Sequence, residues 1–162
     1  MNETTLALCK KPAIGLVMWL TSLCVTNQGL HDAYLDLNIE GATLTQEFQA
    51  PMDEVYVLSA YLKSMNNDSN EKSWNDLLCK DENTISIEIE IKTKKLESVY
   101  NENLTRNCDA NAVETWDIAR IGKFNLKKGD YIFTATNIKK IPIRETQKVQ
   151  LILIGTKSAG FP

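Results

Sequence analysis

The stretch Ile85–Lys92, with the sequence ISIEIEIK, decides how this chain folds. An isoleucine occupies every second position, and a polar residue occupies each position between. In an extended strand, successive side chains point to opposite faces of the sheet, so the isoleucines share one face and the polar residues share the other. The pattern therefore predicts an antiparallel strand with one face in a hydrophobic core and the other face in water.

Shorter runs rich in Val, Ile, Leu, Tyr and Phe occur along the rest of the chain, separated by polar turns. We expect further strands over residues 34–39, 43–48, 54–63, 115–124, 131–136 and 149–154. The run 54–63 is apolar at most positions, which predicts a strand that is buried on both faces. Gly129 is expected to supply a positive φ angle in the turn that precedes the strand over 131–136.

A short helix is predicted near residues 70–79, because three apolar residues there recur at spacings of three and four and share one helical face. These residues are Trp74, Leu77 and Leu78. Ser69 or Asn70 is the expected cap of this helix. Two polar stretches, Ser64–Ser73 and Ser98–Asn111, are predicted to be long loops.

These segments together predict an all-β fold, namely an antiparallel β-sandwich of about seven or eight strands with one short helix. An immunoglobulin-like and a jelly-roll-like sandwich are both compatible with the pattern. The chain has 162 residues, of which 43% are hydrophobic and 24% charged, as is ordinary for one globular domain. We expect that domain to comprise residues 26–162.

Residues 1–25 are predicted to be a signal peptide that directs the protein to the periplasm. Lys10 and Lys11 provide a positive flank, and the uncharged run 12–25 follows. About 14 residues of helix span about 21 Å, which is less than the roughly 30 Å of a hydrocarbon core. Cys24 is a candidate lipid anchor, but Leu23 is not the small residue that a lipoprotein signal prefers, so ordinary signal cleavage is an equal alternative.

Cys79 and Cys108 are the cysteines of the predicted domain, and in an exported chain they are expected to form one disulfide. Such a bond would close a loop of about 28 residues and contribute roughly 3–4 kcal/mol. Two buried free thiols are the alternative. The sequence has no Cys-x-x-Cys pair and a single histidine, so we expect neither a metal site nor a cofactor.

The residues of the chain argue against catalysis. A serine or cysteine nucleophile that relies on histidine would have to use His31, which lies just after the leader. Glu88 and Glu90 would lie about 7 Å apart on one strand face, where a pair of catalytic carboxylates is conceivable. A solvated face is the favoured interpretation, because Ser86 and Lys92 flank the two glutamates. We therefore predict that the protein is not an enzyme.

A protein partner is the expected ligand. The formal net charge of −3 offers no electrostatic footprint for nucleic acid, and contact with a membrane is expected only through a lipid anchor. Trp74, Tyr100 and Trp116 lie near the two cysteines in sequence and are candidate binding residues. Exposed aromatic side chains beside a disulfide-tied loop make good interface anchors. Core packing is the more common role of a tryptophan, and the sequence does not choose between the two roles.

Several turn and strand motifs resemble one family of Gram-negative envelope proteins that is known only as a domain of unknown function. The motifs are residues 122–138, Ile141-Pro142, the strand 149–154, and Phe48–Pro51 followed by Val55–Leu58. The resemblance implies a sandwich that is exported to the periplasm, often as a lipoprotein. Some small periplasmic proteins of similar appearance are immunity proteins, and the family supplies no catalytic residue for this chain.

The expected function is therefore that of a non-catalytic periplasmic binding protein. An immunity or inhibitor protein that neutralises a toxin effector is the first hypothesis. A structural or accessory component of the cell envelope or of a secretion system is the alternative. In the first case the partner is a toxin, and in the second it is another envelope protein.

Overall fold

The computed structural model describes residues 29–30, 32–65, 73–108 and 118–156. Within these ranges the chain forms eight β-strands and one five-residue π-helical segment, Asp76–Lys80. The strands are β1 (Tyr34–Leu35), β2 (Thr43–Ala50), β3 (Glu54–Ser64), β4 (Ile85–Thr93), β5 (Ser98–Arg106), β6 (Ile118–Leu126), β7 (Gly129–Asn137) and β8 (Gln147–Gly155).

The strands form two antiparallel sheets of four strands each. The first sheet has the order β1-β8-β3-β6, and the second has the order β2-β7-β4-β5. The chain passes from one sheet to the other after almost every strand, and β4 and β5 are the one consecutive pair that shares a sheet. This arrangement confirms the predicted β-sandwich, and the repeated crossing between sheets is that of a jelly roll rather than of an immunoglobulin domain.

The hydrophobic core lies between the two sheets, and β4 is central to it. Ile85, Ile87, Ile89 and Ile91 are fully buried, while Glu88 on the opposite face is exposed. The prediction that core-facing and solvent-facing side chains alternate along this strand is confirmed. The first sheet contributes side chains of β3, β6 and β8 to the same core, among them Leu58, Phe124 and Leu151.

The first predicted strand is much shorter in the structure. The prediction covered residues 34–39, but β1 ends at Leu35, since the Asp36 carboxylate accepts a hydrogen bond from the Asn38 backbone N–H at 2.9 Å and turns the chain. The positive φ expected at Gly129 is also wrong, because Gly129 lies within β7. Among the described glycines, Gly41 has the positive φ, at 80°, in the turn before β2.

The predicted loop Ser98–Asn111 is wrong over most of its length. Residues Ser98–Arg106 form β5, which pairs with β4 at the edge of the second sheet. An edge strand is held by backbone hydrogen bonds, and most of its side chains meet water, so a polar sequence is compatible with it. Of its side chains, Tyr100 and Leu104 pack against the core. Residues 109–111 lie outside the described residues.

The short helix predicted near residues 70–79 is present, with helical backbone from Trp74 and a π-helical turn over Asp76–Lys80. Its cap is Ser73, whose hydroxyl accepts a hydrogen bond from the Asp76 N–H and donates one to the Asp76 carboxylate at 2.7 Å. The carboxylate also accepts from the Ser73 N–H, which completes a reciprocal capping box. The caps predicted from sequence, Ser69 and Asn70, lie outside the described residues.

Asp76 should make the stability of this segment depend on pH. Its carboxylate accepts hydrogen bonds from the Lys80 ammonium and from Ser73, which hold the pKa of Asp76 well below the ordinary value of 3.8. Because the folded-state pKa is depressed, the ionised group stabilises the fold above the unfolded-state pKa, and this contribution is lost as the pH falls below about 4. We expect Asp76→Asn to lower the free energy of unfolding by about 1 kcal/mol at pH 7.

Urea unfolding of both proteins over a series of pH values measures this effect. The difference between Asp76→Asn and wild type should shrink progressively as the pH falls below about 4. Glu40→Gln, in an exposed turn, is the matched control and should not change the unfolding free energy. A difference that stayed constant down to acidic pH would show that the charge of Asp76 is not what stabilises the turn.

Candidate binding face

Trp74 lies in the core rather than on the surface. Its side chain is fully buried, and its indole N–H donates a hydrogen bond to the Ala60 carbonyl oxygen of β3 at 3.0 Å. A buried aromatic residue with its polar atom satisfied has nothing left to offer a partner. The prediction of Trp74 as an interface anchor is therefore corrected in favour of core packing.

Tyr100 connects the edges of the two sheets. Its hydroxyl donates to the Asn125 carbonyl oxygen at 3.2 Å and accepts from the Asn125 N–H at 2.9 Å. Its ring meets Phe124 edge-on, with 5.2 Å between the ring centroids. The ring and the hydroxyl are thus engaged within the sandwich. Trp116, the third predicted binding residue, lies outside the described residues.

The predicted disulfide is present. Cys79 and Cys108 are bonded, with 4.7 Å between their Cα atoms, and the bond ties the π-helical segment to the chain just after β5. Disulfides persist in oxidising compartments, so this bond fits an extracellular or periplasmic location. Within the described ranges, no helix has the length and hydropathy to span a membrane. Cys24 and the predicted signal peptide, residues 1–25, lie outside those ranges.

Glu88 and Glu90 lie on the outer face of the second sheet. Glu88 is exposed, and Glu90 forms an ion pair with Lys92 at 2.7 Å. Their cross-strand neighbours are Thr136 and Thr134 of β7 and Asn103 and Asn101 of β5, so neutral polar side chains, Lys92 and solvent surround the two carboxylates. In the part of the chain that the structure describes, no three His, Cys, Asp or Glu side chains come together to hold a metal ion.

The outer face of the first sheet has a different character, and we call it the basic-apolar face. Apolar and basic side chains alternate with the buried residues of β3, β6 and β8 and point away from the core. The outward residues are Tyr34 on β1; Lys148, Gln150, Ile152 and Ile154 on β8; Val55, Val57, Ser59, Tyr61 and Lys63 on β3; and Ile118, Arg120, Lys123 and Asn125 on β6.

The centre of the basic-apolar face is formed by aliphatic side chains on adjacent strands. Val57 of β3 lies opposite Ile154 of β8, and the next row across the same strands holds Ile152. Ile154 is 46% exposed and Ile118, at the end of the row that contains Tyr61, is 38% exposed. Val57 and Ile154 are direct cross-strand neighbours, which lie about 5 Å apart, and Ile152 is two residues along β8 on the same face, so these three side chains form one patch. Ile118 lies apart from this patch, beyond the row of Ser59 and Arg120.

Lys63 and Lys148 form the cationic rim at one end of this face. The Lys63 ammonium donates a hydrogen bond to the Tyr34 hydroxyl at 3.1 Å, and both lysine ammonium groups lie within 6 Å of the Tyr34 ring centroid, at 5.8 and 5.9 Å. The hydrogen bond to Tyr34 raises the pKa of Lys63, with a smaller effect from Asp32 just before β1. Tyr34 therefore holds two positive charges at a defined position.

Arg120 and Lys123 form a second cationic rim along the β6 edge of this face. Both side chains are exposed, and they lie across from Ser59 and Val57 of β3. Among the outward positions of the four strands of the first sheet there is no aspartate or glutamate. The charged side chains at these outward positions are therefore all basic, in a chain with a net charge of −3, and Asp32 is an acidic residue near the Lys63 end of the face.

The outer face of the second sheet carries more carboxylates than cations, and we call it the acidic face. Two of its carboxylates are paired with lysines, Glu90 with Lys92 and Glu47 with Lys94 at 3.1 Å. Four carboxylates and one lysine occupy its outward positions, together with threonines that pair across β2 and β7. The charged residues are Glu47, Glu88, Glu90, Asp130 and Lys92. Ile132 is the apolar residue among the outward positions of β7, and it is half-buried.

Sequence reasoning did not identify the basic-apolar face. The run 54–63 was predicted to be buried on both faces, but Val55, Val57 and Tyr61 are half-buried and lie on the outside of a two-layer sandwich. The signal that could have revealed this face is the run of apolar residues over 54–63 itself. In an antiparallel sandwich each sheet has one inner face, so a strand that is apolar at every position also places apolar side chains on the outer face.

No family model and no curated protein matches the chain. Among solved structures, the chain is similar to a protein from Sulfurospirillum deleyianum, with 14% identity, a TM-score of 0.56, and coverage of 78% of this chain and 96% of that one. At this identity the likeness shows a shared fold, which agrees with the β-sandwich described above.

Two longer proteins show weaker likeness. One is the isomalto-dextranase of Arthrobacter globiformis, with 14% identity and a TM-score of 0.43 over 74% of this chain and 18% of that one. The other is a mannanase of Podospora anserina, with 8% identity and a TM-score of 0.41 over 78% of this chain and 22% of that one. The chain thus corresponds to about a fifth of each of these proteins.

Proposed function

We propose that this protein is a non-catalytic binding protein of an oxidising compartment and that it holds a protein partner on the basic-apolar face. The observation that carries the proposal is the aliphatic patch around Val57 and Ile154, which is partly open to solvent and bordered by cations. Exposed apolar patches with a polar border are typical of protein-binding surfaces.

The geometry of this face suits recognition. β3 is paired along its length with β8 on one side and β6 on the other, so the patch lies in the centre of a hydrogen-bonded sheet. Side chains on such a rigid support lose little conformational entropy when a partner binds. An apolar centre that excludes water, with charged groups around it, is also the common anatomy of interfaces in which a few central residues carry the affinity.

We further propose that the partner is a toxin effector and that the protein acts as an immunity or inhibitor protein in the periplasm. The Cys79–Cys108 bond supports the compartment, because disulfides persist there. The strand and turn motifs resemble an envelope family, and some small periplasmic proteins of similar appearance are immunity proteins. This resemblance supports a toxin as the partner. A sheet face of this kind can cover the active site of another protein without performing chemistry itself.

Ile154→Asp should weaken partner binding at least about 30-fold. The substitution places a carboxylate in the centre of the aliphatic patch, and loss of a central interface residue typically costs 2 kcal/mol or more, about 30-fold in affinity. Ile132→Asp, which makes the same change at an outward position on the acidic face, is the matched control and should leave binding unchanged.

The measurement begins with tagged full-length chain in envelope extracts of the source cells. A protein that wild type and Ile132→Asp retain, but Ile154→Asp loses, is then purified for titration calorimetry. A captured enzyme whose activity falls on binding would support the inhibitor role. Equal capture of the same protein by wild type, Ile132→Asp and Ile154→Asp would show that the basic-apolar face is not the binding surface.

A structural subunit of an assembly is the second candidate, because the two outer faces carry opposite charge. A positive face on one copy could meet the acidic face of the next, and such a head-to-tail contact repeats without closing. Light scattering of the purified chain over a range of concentrations separates the two candidates. Open-ended growth would favour the assembly, whereas a monomer at all concentrations would favour the binding protein.

A further inference from the structure

We propose that the surface recognised by the basic-apolar face is a protein surface with clustered Asp or Glu side chains around an aliphatic patch. This inference rests on the proposed function and adds the chemistry of the partner to it. The observation behind it is the separation of charge across the sandwich. All charged side chains at the outward strand positions of the first sheet are basic, whereas the protein as a whole is acidic.

The cations border the aliphatic patch in two directions, at one strand end and along the β6 edge. Lys63 and Lys148 are at one end, and their position is set by the Tyr34 ring and hydroxyl. Arg120 and Lys123 are on the β6 edge, and Lys123 is the direct cross-strand neighbour of Val57 on β3. A partner that covers the patch therefore meets positive charge at two separate places, and carboxylates at both places would complement it.

An arginine contributes to this specificity in a way that a lysine does not. The guanidinium of Arg120 presents N–H donors in a planar fork that matches both oxygens of one carboxylate, whereas a lysine ammonium acts as a point charge. Arg120 is exposed on β6, in the row that holds Ser59 and Ile152. Arg120 and the lysines of this face therefore offer the carboxylates of a partner both a forked donor and point charges.

A second copy of the chain is a poorer occupant. Two basic-apolar faces would bring four cations from each copy against one another, and like charges across an interface are costly. The acidic face of another copy has complementary charge, but its outward positions on β2 and β7 are mostly polar, with Thr45 paired to Thr134 at the centre. Threonines and glutamates would leave the aliphatic patch against a mostly polar surface, on which Ile132 is half-buried.

An anionic membrane is also a poorer occupant. Binding to a bilayer surface buries apolar side chains several ångströms deep, which favours protruding residues. Val57 and Ile152 are half-buried, and the side chain of Ile154 is 46% exposed on the same face. Such a surface suits close packing against a complementary protein better than insertion into lipid.

The test compares Arg120→Glu/Lys123→Glu with the neutral pair Arg120→Gln/Lys123→Gln. The probe is the purified protein that wild type captures and Ile154→Asp loses. We expect charge reversal to slow association at least about 10-fold at low ionic strength and the neutral pair to slow it less. Added salt should bring the association rates of both variants closer to that of wild type. Lys95→Glu, in the exposed β4–β5 turn, is the control and should associate at the wild-type rate.

Carbodiimide cross-linking of the same complex adds a readout that a structural role would not produce. It should join Lys63, Lys123 or Lys148 to Asp or Glu of the partner. Wild-type association of the charge-reversed variant, with binding still lost in Ile154→Asp, would overturn the acidic partner and leave the proposed function standing. Failure to find any protein that depends on Ile154 would overturn both.

Two further outcomes would overturn the inference in favour of another occupant. The first is charge-dependent binding of the wild-type chain to phosphatidylglycerol vesicles in the absence of a protein partner. The second is self-association that Arg120→Glu/Lys123→Glu abolishes. Flotation assays and light scattering of the full-length chain measure these two outcomes directly.

Discussion

Replacing Trp74 with alanine should lower the free energy of unfolding by about 3–5 kcal/mol. The side chain is fully buried, so its loss removes a large apolar volume from the core and leaves a cavity. The change also removes the hydrogen bond from the indole N–H to the Ala60 carbonyl oxygen, which lies in the central strand β3. Denaturant unfolding followed by circular dichroism measures the change.

Trp74→Phe is the matched variant for this experiment. It keeps most of the buried aromatic surface but lacks the N–H donor, so we expect it to lose about 1–3 kcal/mol, less than the alanine variant. Partner binding of the folded Trp74→Phe protein should equal that of wild type. A Trp74→Ala protein with wild-type stability and reduced binding would instead restore Trp74 as an interface anchor.

Removing the disulfide with Cys79→Ser/Cys108→Ser should destabilise the protein by about 3–4 kcal/mol. The two cysteines are 29 positions apart, so the bond restricts a long loop in the unfolded chain. In the folded state it ties the π-helical segment, which packs through Leu77 and Leu78, to the chain after β5. Replacing both cysteines avoids a single free thiol that could form intermolecular bonds.

Guanidinium unfolding with and without reductant checks this expectation. Wild type under reducing conditions should unfold at the denaturant concentration of the double variant, and the double variant should not respond to reductant. An alkylation mass shift that appears only after reduction would establish the bond in solution. Equal stability of wild type in both conditions would show that the bond does not contribute to folding.

The strands at the centre of the sandwich were predictable from sequence because their side chains alternate between two environments. In β4 every isoleucine is buried, and in β7 the buried residues Tyr131, Phe133 and Ala135 alternate with partly exposed ones. β5 was missed for the converse reason. At the edge of the sheet most side chains of β5 meet water, and Tyr100 and Leu104 are the residues that pack against the core, so the sequence carries little of the two-residue period from which strands are recognised.

The candidate site was predictable only in part. The pairing of Cys79 with Cys108 followed from the small number of cysteines and the expected compartment. The positions of Trp74 and Tyr100 did not follow, because sequence proximity to a cysteine does not show whether a side chain points into the core. The basic-apolar face combines residues from β3, β6 and β8, which are far apart in the sequence, and no local motif links them.

The sequence by itself determined the fold class and the side of β4 that faces the core, because the two-residue period is a local property of the chain. Only the tertiary structure decided which outward side chains become neighbours. The order β1-β8-β3-β6 brings Lys123, Val57 and Ile154 into one row, although these residues come from three separate parts of the chain. Strand order depends on long-range backbone pairing, and the charge separation between the two outer faces is a consequence of that pairing.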